Sequence, residues 1–155
     1  MLPRRGPIHP WLRVVCGALA LVLIAAALIV GLQGGRELVR ALPALVIGLL
    51  FLIPAARAGA PKPGTGLDEI AARFYDARFV ARWGLGSGFL GLLGIKLLDR
   101  SLGPIPVSGT ASGRILQLMF AALFVVGFVA AFFTVYYGDL GKKMADEEER
   151  DVEDA

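Results

Sequence analysis

Gly86-Ser87-Gly88-Phe89-Leu90-Gly91 is the stretch of this chain that most readily suggests chemistry. It matches the G-x-G-x-x-G string of dinucleotide sites. That motif works only where a strand enters a tight turn and a helix N-terminus points at a pyrophosphate. Here the string lies inside an apolar run, so nucleotide binding is not expected. Gly-Ser-Gly within such a run also offers a serine nucleophile, which needs a base to take its proton. The one histidine, His9, sits in a Pro-rich leader ahead of the first apolar block. Lys96 is about two and a half turns further along the same segment as Ser87. Neither is placed to serve as the base, and no enzymatic activity is expected.

The inventory of ligating residues is as thin. Cys16 is the only cysteine, so no intrachain disulfide can form. One cysteine and one histidine do not make a self-contained zinc site or a bis-histidine haem site. No Asp or Glu interrupts the longest apolar blocks, which argues against an ion-coupled pump. No metal or cofactor is expected.

The glycines carry a different signal. Gly84 and Gly88 form a small-xxx-small pair, and Gly91 and Gly94 continue it at three-residue spacing. Glycine lets a second helix approach closely, which matters in lipid because no hydrophobic force draws helices together there. Phe120, Phe124, Phe128 and Phe132 recur every four residues, with Tyr136 following. They predict an aromatic ridge able to pack on the glycine surface, or to face lipid or a partner. Ordinary packing inside a bundle is the simplest use of both features. A groove for another subunit, a lipid tail or a pigment is the alternative.

These residues sit on long apolar segments. Of 155 residues, 56% are hydrophobic, and the mean hydropathy is +0.67. The apolar residues come in blocks, the pattern of segments solvated by lipid. Val14–Leu32 is uncharged and would span about 28 Å as a helix, close to one hydrocarbon thickness. The block is too long for the h-region of a signal peptide and lacks a clear cleavage site. Ala41–Ala56 is shorter and flanked by Arg40 and Arg57, which can snorkel. Ile115–Gly138 is the strongest block, and its Tyr136-Tyr137 pair fits an interfacial belt, a role that also suits Trp11 and Trp83.

The remaining span is the least conventional. Its uncharged core is Trp83–Ile95, so Arg82 and Lys96 must reach opposite headgroup layers, and Lys96 can also pair with Asp99. Leu67, Ile70, Phe74 and Ala77 precede it at helical spacing, predicting a short amphipathic helix at the membrane surface. Residues 57–66 and Asp99–Gly113 read as loops from their turn-forming composition.

The expected fold is therefore all-α, an integral membrane four-helix bundle with spans at about 11–32, 38–56, 79–98 and 115–138. The transmembrane domain covers 1–138, and 139–155 is an acidic tail expected to be disordered. That tail has a net charge of −5, so the rest of the chain carries +8. The basic residues flank apolar blocks, where topology and headgroups account for them better than nucleic acid. Eleven of the sixteen Lys and Arg fall on the side of the termini and the 57–82 segment. The positive-inside bias then gives both ends in the cytoplasm. Arginine-rich, alanine-rich and glycine-rich composition suggests a bacterial inner-membrane protein. With no catalytic set, the expectation is an accessory subunit of a larger membrane complex, respiratory or photosynthetic, in contact with lipids and other subunits. The alternative is a small component of a transporter or channel, using Lys96, Gln117 or the glycines.

Overall fold

In the computed structural model the described residues are 9–32, 36–56, 67–101 and 111–153. They form four helices and no strand: α1 (Pro10–Gly31), α2 (Arg36–Ala55), α3 (Leu67–Ser101) and α4 (Ala111–Glu153). The predicted loop 57–66, most of the loop 99–113 and the Pro-rich leader ahead of His9 lie outside the described residues.

Proline starts α1 because its ring fixes φ for a helix and its missing N–H is not needed at the first position. His9 caps that end, its Nδ1 accepting from the Trp11 N–H at 3.4 Å. Leu12, Cys16, Ala20, Leu23, Ala27 and Val30 form the buried stripe of α1, spaced three and four apart. It packs on Ala41, Ala44, Ile47 and Phe51 of the antiparallel α2. Gly48 makes the approach close: a Cβ there would meet Ala20 O at 3.2 Å and the Leu23 side chain at 3.1 Å. Pro43 and Pro54 are both accommodated within α2.

The second hairpin differs most from expectation. The amphipathic segment and the third span are one uninterrupted helix of 35 residues, about 52 Å long. Ile70 and Phe74 face α4 instead of a membrane surface: Cβ atoms added at Gly141 and Gly138 would meet them at 3.6 and 3.4 Å. The acidic tail, expected to be disordered, is the end of α4, which continues through Glu153 for 43 residues, about 64 Å. Met144, Ala145, Lys142, Lys143 and the run of Glu favour helix, and they extend a helix already nucleated. Asp99–Ser101 and Ala111–Gly113, read as loop, are likewise helical.

The two hairpins meet chiefly through α2 and α3. Phe51 and Trp83 join them with ring centroids 5.5 Å apart, and Phe79 adds to the same cluster. Trp83 is therefore half-buried between helices, whereas Trp11 is exposed. Among the described residues two helical segments are long and apolar enough to cross a membrane by length and composition, Pro10–Gly31 and Gly113–Glu147, and Ala41–Ala55 is a shorter apolar helix.

Candidate functional site

Three arrangements bring polar or unusual residues together: the seam between α3 and α4, the cleft between α2 and α3, and a polar cluster where the start of α1 meets α3.

At the seam, Gly84 lies against Gly127 so closely that a Cβ on Gly84 would stand 2.7 Å from the Gly127 Cα. A Cβ on Gly88 would stand 2.6 Å from the Phe124 backbone nitrogen, and one on Gly91 would overlap the Phe120 ring. Gly94 faces the other way, towards the Pro43 ring of α2 at 3.2 Å. The glycine run thus serves two neighbours. Gly127 was missed in the sequence because its small partner at helical spacing is Ala131 and not a second glycine.

The aromatic ridge divides along its length. Four residues advance about 40° beyond a full turn of a 3.6-residue helix. Phe120 is fully buried, Phe124 is 36% exposed, Phe128 53% and Phe132 65%. The ridge winds out of the seam, and its outer end is held by an edge-on Phe128–Phe132 contact at 5.2 Å.

Gly86-Ser87-Gly88 sits mid-helix, with no strand or turn to make a phosphate cradle. Ser87 is buried and donates its hydroxyl to the Trp83 carbonyl one turn back, a local bond that satisfies it inside a helix. A cavity of about 300 Å³ opens beside it. Ile47, Leu50 and Phe51 of α2 form one wall; Trp83, Gly86 and Leu90 of α3 form the other, with Arg82 at the rim. A Cβ added to Gly86 would meet nothing within 4 Å. Arg82 and Lys96 are both exposed, and Asp99 is half-buried at the far end of α3.

The polar cluster was not anticipated. The His9 backbone N–H donates to Asp76 Oδ1 at 2.9 Å, tying the cap of α1 to α3. Burial pushes the Asp76 carboxyl above its usual range, opposed by the hydrogen bond and charge of His9. Arg13 donates to the Ala55 carbonyl at 3.4 Å, and its Nε is buried with no partner among the described residues. Arg73 pairs with Glu69 at 2.6 Å; contact with the Tyr137 hydroxyl first, and with Glu69 second, holds its guanidinium above the ordinary value. His9, Arg13 and Asp76 are isolated in sequence, so no spacing could have flagged them.

Among the described residues no group of three or more His, Cys, Asp or Glu could hold a metal ion. Comparison with protein families, with curated proteins and with solved structures finds no match.

Proposed function

We propose that this chain is a non-catalytic, multi-pass accessory subunit of a larger complex in a bacterial inner membrane. The observation that carries the reading is the apolar exterior. Val14, Leu21 and Ile29 of α1, Val46 and Ile53 of α2, and Leu118, Val125 and Phe132 of α4 are all at least half exposed. Water-soluble monomers rarely present contiguous apolar surface on this scale. Lipid and partner helices are its natural cover. Lys and Arg counts favour both termini in the cytoplasm, with α3 as a crossing helix between Arg82 and Lys96. A respiratory or photosynthetic complex is the proposed setting.

Affinity purification from native membranes in a mild detergent, with mass spectrometry of co-migrating proteins, tests it. Stoichiometric membrane partners are expected; a monomer without any would refute the subunit assignment. Cysteines placed at Ser108 and Ala145 should react with an impermeant reagent from opposite faces. Labelling of both from one side would overturn the four-crossing topology.

A transporter component would require a polar pathway through Lys96, Gln117 or the glycines. Gly84, Gly88 and Gly91 are closed off by α4, and Lys96 and Gln117 lie exposed on different helices. No feature of the seam favours that second reading.

A further inference from the structure

The cleft between α2 and α3 combines three features that together form more than a packing contact. It is walled by apolar side chains, Ile47, Leu50, Phe51 and Leu90 among them. It is kept open on the α3 side by Gly86, where even a methyl group would touch nothing. Its rim carries Arg82, exposed and in no ion pair with a described carboxylate. Arg82 also marks where the uncharged run Trp83–Ile95 begins, so in a bilayer it sits at headgroup level. From there the cavity leads two turns deeper, past Gly86 to Leu90.

We infer that this cleft binds one anionic phospholipid, its phosphate on Arg82 and part of an acyl chain against Leu50, Phe51, Trp83 and Gly86. A guanidinium matches a phosphate through two parallel hydrogen bonds. The apolar walls fit a hydrocarbon chain, and the volume of about 300 Å³ suits a segment of one chain, not a whole second helix. Charge at the rim and apolar depth below it follow the order of groups along a lipid. The occupant would fill the weakest joint of the bundle, because the hairpins otherwise meet through few side chains such as Phe51 and Trp83.

This site rests on the membrane reading above, and the experiment separates the two. The chain has two tryptophans, so Trp11→Phe leaves Trp83, inside the cleft, as the only indole. That protein is reconstituted into phosphatidylcholine vesicles containing a minor fraction of lipid brominated on its acyl chains. Brominated phosphatidylglycerol is expected to quench Trp83 more than brominated phosphatidylcholine. The expected local enrichment is about fivefold, the size of one basic side chain's attraction near an anionic surface. Arg82→Gln should abolish that preference, whereas Arg100→Gln, exposed at the other end of α3, should preserve it. Gly86→Leu should lower quenching by both lipids, since its side chain enters the open space. Arg82→Gln changes only an exposed head group and so decides independently of packing at Gly86. Equal quenching by the two lipids in the parent chain would overturn the site, as would a preference surviving Arg82→Gln or lost equally in Arg100→Gln. Release of the protein from membranes by alkaline carbonate would overturn the membrane reading and the site with it. A chain that stays in the membrane and shows no preference would overturn the site alone.

Discussion

Gly84 and Gly127 meet with no space for a methyl group on either. Gly84→Ala or Gly127→Ala should therefore destabilise the α3–α4 hairpin by about 1–3 kcal/mol, the usual cost of overpacking. Gly86→Ala, two residues from Gly84, should be nearly neutral because its Cβ enters open space. Thermal unfolding in detergent micelles would check the contrast, and equal losses at positions 84 and 86 would contradict it. Phe120→Ala should also weaken the hairpin, but by less than the about 3–5 kcal/mol seen in water-soluble cores, because in lipid the separated helices are already in an apolar medium. At Asp76 the pH dependence has a definite sign. Its carboxyl is raised in the folded chain, mainly by burial, so the favourable contribution is present in full at low pH. It is lost as pH rises through the folded-state value. Asp76→Asn keeps an oxygen for the His9 N–H and should remove this loss. The variant's melting temperature should exceed the parent's at neutral pH, and the gap should close on acidification. The glycine spacing was legible in the sequence. Gly94's turn towards Pro43 and the winding of the phenylalanines were not, because both depend on how a 3.6-residue helix carries each side chain around its axis.

Helices α1 and α2 fall within two residues of the expected spans 11–32 and 38–56, the ordinary scatter of helix ends. Composition misleads at the ends of α3 and α4. The residues after Met144 have almost no apolar content, which read as disorder, but a helix already running through the apolar block needs no new nucleus. Glu, Lys, Ala and Met then propagate it. Hydrogen exchange should accordingly find the amides of Lys142 to Arg150 protected above random-coil rates, and Lys143→Pro should abolish that protection downstream. Unprotected amides in the parent chain would show that α4 ends near Gly138. Similarly, Ile70 and Phe74 give a helical apolar stripe without saying what covers it. The cover proves to be the small residues Gly138 and Gly141. Glycine's usual reading as a helix terminator conceals that use in the sequence.

The molecule as a whole is two antiparallel hairpins joined along α2 and α3, with the polar cluster of His9, Arg13 and Asp76 at one end of the joint. The four long helices were legible from block lengths, but not the merging of the amphipathic segment into the third. The pairing was not, because short connections only suggest antiparallel neighbours and no pattern reveals how little α2 and α3 share. If the joint is that slender, the Phe51–Trp83 contact should matter disproportionately. Expressed as separately tagged halves divided within residues 57–66, the hairpins should co-purify. Phe51→Ala with Trp83→Ala should weaken that recovery several-fold, in line with about 0.5–1.5 kcal/mol for an aromatic pair beyond its buried area. Undiminished recovery would place the joint elsewhere.

The length of α4 has a mechanical consequence. From Gly138 to Glu153 the helix rises about 23 Å, braced by α3 along its first turns. In the proposed orientation it acts as a ruler standing on the membrane, fixing the height at which Asp146, Glu147 and Glu149 are offered to a neighbour. Inserting four residues after Met144 would raise that acidic patch by about 6 Å and swing it about 40° around the axis. A partner that reads height and bearing would let go, although no residue it touches had changed.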